Sequence, residues 1–139
     1  MDNLIVIILI WMQATFGFSV DSTSELPEVF FRSQEQLEYI YTNGDLTKLD
    51  SVLELIAFYD SVNNIIYLNN NFDIDNPQHQ SYLAHELYHF FQFYYTIPYA
   101  CLARRERAAL VADDMWLEHI GKKGDNNPLL MRLLKYCDY

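Results

Sequence analysis

Positive charge is scarce in this chain: 9 Lys plus Arg stand against 19 Asp plus Glu in 139 residues, a net charge of -10. Such a field repels phosphate backbones and anionic lipid heads, so nucleic acid is excluded as a partner. Cysteine is nearly absent. Cys101 and Cys137 are the only two, with no CxxC pair, which argues against a thiolate zinc site. An even count permits one disulfide from the C-terminal tail to the second long helix, and two free buried thiols fit the spacing as well. No repeat, low-complexity tract or linker divides the chain, whose length and 51% hydrophobic content suit one domain with an ordinary core.

No apolar run reaches the roughly 20 residues of a comfortable membrane span. The unbroken run Leu4 to Met12 is followed by small residues around Thr15, Gly17 and Ser19, which resembles a secretory hydrophobic region with its cleavage site. The usual basic start is missing, since Asp2 is the only charge before Asp21. Residues 1–19 are therefore read as a signal peptide or, uncleaved, as an N-terminal anchor; a buried N-terminal helix is the third reading. The expected location is periplasmic or extracellular, with membrane contact only through an uncleaved N-terminal segment.

Residues 20–139 read as a single α+β domain. Glu28 to Phe31 suits a strand, and Ser33 followed by Gln36 is a capping-box pattern opening a helix that runs to about Thr42 and ends at Asn43-Gly44. Leu53 to Tyr59 and Ile65 to Leu68, parted by Asp60 to Asn64, predict a β-hairpin. Asn76-Pro77 opens a long helix through Leu83, Leu87, Phe90, Phe91 and Tyr94, until Ile97-Pro98 turns the chain. A second long helix is expected from about Leu102 to His119, stopping at Gly121, and a short one after Asn127-Pro128. The expected architecture is a small antiparallel sheet packed on a helical hairpin.

His85-Glu86-Leu87-Tyr88-His89 is an HExxH motif inside the first long helix. Residues four apart share a helical face, so two imidazoles converge on one Zn2+ while Glu86 stands beside the open coordination position as general base. The bland alternative is a pair of half-buried, hydrogen-bonded histidines. His is rare here, 4 in all, and two fall at metal spacing around a Glu, which favours the metal. If the Ile97-Pro98 turn reverses the chain symmetrically, Glu106 misses the midpoint of the two histidines by about 3 Å along the axis and Asp113 by about 7.5 Å. Glu106 is thus the expected third ligand, and Asp113 either an acceptor for a ligand histidine's free N–H or the alternative ligand. Solvated charge on the second helix would explain both acids without a metal. His119 lies on nearly the opposite face from Glu106, and His79 reads as a surface residue.

With these residues in view, the stretch from about Leu53 to Lys122 resembles the small bacterial metallopeptidases of the minigluzincin type. The likeness runs through Ile56-Ala57-Phe58-Tyr59-Asp60, Ile65-Ile66-Tyr67-Leu68, the segment Leu83 to Gln92, Tyr99-Ala100-Cys101, and Glu106 to Leu117. In that family the HExxH helix is followed by a Cys and then a helix with a Glu-x-Glu-Ala-Tyr-x-x-Gln stretch. This chain keeps the first acid as Glu106 but has Ala108, Leu110 and Asp113 at the later positions. The resemblance implies a gluzincin-like zinc hydrolase and names no substrate. The expectation is hydrolysis of a peptide or protein, paired to the Ile65 to Leu68 strand as a candidate edge, with Tyr88, Tyr94 or Tyr95 steadying the oxyanion. The competing expectation is an inactive metal-binding module, acting as a partner protein at the cell envelope; a purely structural helical domain is the third.

Overall fold

A computed structural model describes residues 1–44 and 55–137. The element order is α1 (Asp2–Phe16), β1 (Glu28–Arg32), α2 (Gln34–Tyr41), β2 (Ala57–Asp60), β3 (Ile65–Asn69), α3 (Pro77–Tyr94), α4 (Leu102–His119) and α5 (Pro128–Leu133), with a short 3-10 turn at Thr23–Glu25.

The helix boundaries follow from their caps. Ser33 Oγ accepts from Gln36 N–H at 3.2 Å while Gln36 Oε1 accepts from Ser33 N–H at 3.0 Å, so two backbone donors at the start of α2 are satisfied reciprocally. Asn76 Oδ1 takes the Gln78 N–H at 2.9 Å and Pro77 fills the first position of α3. Asn127 and Pro128 repeat the device on α5. Past Tyr94 the chain turns through Thr96 at φ 49, and Ile97 N–H closes on Gln92 O at 3.0 Å. The bend lets α4 return antiparallel to α3, as the Ile97-Pro98 signal implies.

The protein is α+β, with one three-stranded sheet ordered β1-β3-β2. The hairpin β2–β3 is antiparallel, with Tyr59 opposite Ile66. Of its predicted first run, Leu53-Glu54 lies outside the described residues. The third strand changes the picture: β1 runs parallel to β3, Phe30 beside Tyr67, so the sheet is mixed rather than wholly antiparallel. It also overturns the placing of the Ile65 to Leu68 strand at an edge. β3 is the middle strand, because β1 covers the side that the hairpin alone would leave open. That pairing spans a long stretch of sequence and leaves no local signal.

Alternation along β3 buries Ile66 and Leu68, which meet Leu83, Leu87, Phe90 and Phe91 of α3 and Trp116 of α4 in one core. Ile8 and Met12 of α1 are fully buried in the same cluster, while Val6, Ile7 and Ile10 on the helix's other face are exposed. Among the described residues no helix is long and apolar enough to cross a membrane. Cys101 and Cys137 form a disulfide that ties the chain after α5 to the start of α4, so of the two readings of the cysteines the structure has the bridge.

Candidate metal centre

Burying Leu83, Leu87, Phe90 and Phe91 against the sheet fixes the rotation of α3. The flank that remains carries His85 and His89 towards α4 and Glu86 towards β2. There Glu106 arrives level with both histidines: His85 Nε2 is 3.0 Å from Glu106 Oε1, and His89 Nε2 is 3.0 Å from Glu106 Oε2. The two Nε2 atoms are themselves 3.0 Å apart, with the rings nearly perpendicular at 80°. One ligand atom from each of the three residues falls within 4.8 Å of the others. Donors about 2.0–2.1 Å from a tetrahedral zinc lie about 3.3 Å apart, so the set is close to the size such an ion needs.

The outer nitrogens decide what can sit between the inner ones. His85 Nδ1 faces Asp113 Oδ2 at 2.9 Å, and an ionised carboxylate only accepts. His89 Nδ1 faces Gln92 Oε1 at 2.7 Å; Gln92 is oriented by its Nε2, which donates to Arg105 O at 2.9 Å and to Tyr99 Oη at 3.0 Å. Both histidines thus donate from Nδ1, and their Nε2 lone pairs, with two carboxylate oxygens, point into one space. Four electron-rich atoms so close require a cation between them, either a proton or a metal ion.

Without a metal the protons take that role. Burial alone would depress the His85 imidazolium, but hydrogen bonds with Asp113 and Glu106 outweigh it and hold the pKa up at about 10. Burial pushes the Glu106 carboxyl up, yet the hydrogen bonds from both histidines win and carry it well below the usual carboxylate range. Asp113 goes the other way. Burial raises it, and the bonds to His85 and Asn126 offset that only in part.

Glu86 stands beside this group and not within it. Its Oε2 accepts the Tyr59 N–H from β2 at 3.0 Å, which aims the carboxylate along the sheet edge. Burial raises its pKa above the ordinary value, against the lowering pull of His85 and His89. Two cavities, about 560 and 520 Å³, flank the centre and share Leu55, Ala57, His85, Glu86 and Glu106 in their walls. The first opens towards Tyr82, Asp113 and Asn126, the second towards Tyr59, Phe93 and Arg105.

Several neighbours of the centre escape a reading of the sequence. Asn126, from the loop after α4, gives Nδ2 to Asp113 Oδ1 at 2.6 Å and so holds the acid that holds His85. Gln92 is three residues beyond His89 and could have been found by helical spacing alone. The tyrosines expected at the oxyanion lie elsewhere. Tyr94 and Tyr95 hydroxyls bind the backbone of Asp21 and Ser19, and Tyr88 packs on Phe16 and Phe18. They belong to the aromatic face towards the N-terminal segment; the tyrosines that line the two cavities beside the histidines include Tyr59, whose hydroxyl donates to Asn64 Oδ1 at 2.9 Å, and Tyr82. His119 packs against Trp11 and Trp116, and His79 receives the Asp73 N–H at the rim of the larger cavity.

A family model described as a domain of unknown function, DUF6647, matches residues 1–139. The chain belongs to that family. No curated protein and no solved structure matches it. The family's description assigns no chemistry, so the DUF6647 fold is read through its own side chains.

Proposed function

We propose that this protein is a zinc-dependent hydrolase acting on peptides, with His85, His89 and Glu106 holding the ion and Glu86 as general base. The observation that carries the reading is the convergence of two Nε2 lone pairs and a bidentate-ready carboxylate on one point, while both Nδ1 atoms are committed to acceptors. A merely structural histidine pair has no need to aim both free nitrogens at an acid. Asp113 and Gln92 would fix the ring orientations and keep the two imidazoles basic at Nε2.

The chemistry a bound zinc supplies here is Lewis acidity, which makes water nucleophilic near neutral pH. Glu86 is placed to take the proton of that attack, its raised pKa bringing it closer to the operating range of a general base. Its tether to Tyr59 N–H keeps the carboxylate from turning away. Among the described residues β2, not β3, is the edge strand beside the centre. Ile56 O pairs with Asn69 N–H of β3, so by alternation the backbone groups of Ala57 and Tyr59 face the groove. An extended peptide added along Ala57–Tyr59 would pair with Ala57 N–H and C=O and with Tyr59 C=O, the Tyr59 N–H being held by Glu86, and would lie across Glu86 and the two cavities.

The likeness to minigluzincins in the HExxH segment agrees with this reading. The Cys101–Cys137 disulfide is at home in an oxidising compartment, which supports placing this activity outside the cytoplasm. The test is Glu86→Gln. That variant should bind zinc as the wild type does and lose cleavage of a mixed peptide library by at least about a hundredfold. Equal cleavage in the variant defeats the mechanism. One tight zinc with no cleavage by the wild type would instead leave a metal-binding module, the reading that the replaced acidic and tyrosine positions Ala108 and Leu110 favour.

A further inference from the structure

The two halves of the groove differ in charge. Glu86 and Glu106 line both cavities; towards Tyr82 the wall gains a further acid, Asp113. On the His89 side stands Arg105, the only Lys or Arg among the described residues that line either cavity.

Arg105 lacks the structural employment that its neighbours have. Arg104 Nε donates to Lys135 O at 2.9 Å and Arg107 Nε to Met131 O at 2.8 Å, so those two hold the last helix in place. Arg32 Nη1 donates to Phe31 O at 2.7 Å. Among the described residues the Arg105 guanidinium meets no carboxylate and makes no hydrogen bond; it lies over the Phe93 ring, 4.9 Å from the centroid. Stacking of this kind fixes the plane of the fork while leaving its N–H donors open. The root of the side chain is fixed as well, because Arg105 O accepts from the same Gln92 amide that orients His89. A partly buried cation with no ion-pair partner among the described residues, in a chain of net charge -10, is therefore held at a set place beside the ligand histidine.

We infer that Arg105 binds a carboxylate of the substrate, so that the His89 half of the groove selects peptides carrying a free C-terminus or an Asp or Glu side chain at that position. The inference rests on the hydrolase reading for its substrate class. The planar fork matches a carboxylate in bidentate fashion, and Phe93, in contact with the guanidinium, supplies an apolar support beside it. No other described cation competes for the same group within the groove.

The experiment uses zinc-loaded full chain carrying Glu86→Gln, which binds without turnover. It is incubated with three pools of randomised hexapeptides free of Asp and Glu: one with a C-terminal carboxylate, one amidated, and one amidated with a single Glu added at varied positions. Bound peptides are counted by mass spectrometry. One of the acidic pools should be retained about tenfold over the neutral amidated pool, the free-acid pool marking chain-end recognition and the Glu pool side-chain recognition. Adding Arg105→Gln should erase that ratio with zinc content and melting unaltered, and Arg105→Lys should restore part of it. Equal retention of all pools, or a ratio that survives Arg105→Gln, overturns the inference. Because binding is read in a variant without turnover, failure here leaves the hydrolase reading standing, and a wild type that cleaves nothing would sink that reading through a different measurement.

Discussion

Asp113 Oδ2 stands 2.9 Å from His85 Nδ1, on the side of the ring away from Glu106. Two acids on one helix thereby divide the work on a single imidazole: Asp113 fixes its tautomer, and Glu106 shares the space its other nitrogen faces. The seven-residue spacing that puts them on one face of α4 makes the division possible.

Their replacement should separate the two roles. Asp113→Asn can offer an N–H to Nδ1 and favour the wrong tautomer, so zinc should still bind but about 10–100-fold more weakly. Titration against a chromophoric chelator measures this. An affinity equal to the wild type would show that Asp113 has no hold on the ligand.

Zinc affinity should rise with pH. The proton on His85 Nε2 competes with the ion, and its pKa is lifted from 6.5 to about 10 in the metal-free protein, while Glu106 is lowered and stays ionised. The affinity should therefore climb with pH until about 10, with proton release on binding in calorimetry across buffers of different ionisation heat. In the metal-free chain the sign is reversed. A folded pKa above the unfolded one contributes stability that is complete below about 6.5 and fades as pH approaches about 10. An affinity flat over this window would contradict the proposed ligand set.

Reducing the Cys101–Cys137 disulfide, which spans a separation of 36 residues, should cost about 4 kcal/mol by the chain-entropy relation. The loss would appear as a lower thermal midpoint of the Cys101→Ser, Cys137→Ser double variant. Because the bridge anchors the start of α4, zinc affinity should fall with it. An unchanged midpoint would mean that the tail adds nothing.

The N-terminal helix makes a sharp prediction too. Ile8 and Met12 are fully buried and Trp11 packs on Trp116 with centroids 5.3 Å apart. A chain beginning at Val20 should then be less stable than the full chain by at least about 3 kcal/mol, the scale of losing two large core side chains. Chemical denaturation of both measures it. Equal stability would identify α1 as a detachable leader.

Much of this was legible in the sequence because it was local. Caps at Ser33, Asn76 and Asn127 are properties of a few adjacent residues, and the Ile97-Pro98 turn converts sequence distance into spatial level, which is how Glu106 could be placed opposite His89. What stayed hidden depends on pairings far apart in the chain. β1 lies parallel to β3 without any turn to announce it, and so the edge was assigned to the wrong strand. Asn126 reaches Asp113 from a loop with no periodicity. In the sequence Arg105 is one charge in the run Arg104 to Arg107, and only the carbonyls of Met131 in α5 and Lys135 after it, by occupying its neighbours, set it apart.

The most direct measurement is zinc per chain, by elemental analysis, after the protein has been stripped and reloaded. The wild type should hold one ion, and His85→Ala, His89→Ala and Glu106→Ala none at the same free zinc. Retention of a full equivalent in Glu106→Ala would remove Glu106 from the ligand set, and a wild type that takes up no zinc would contradict the account at its root.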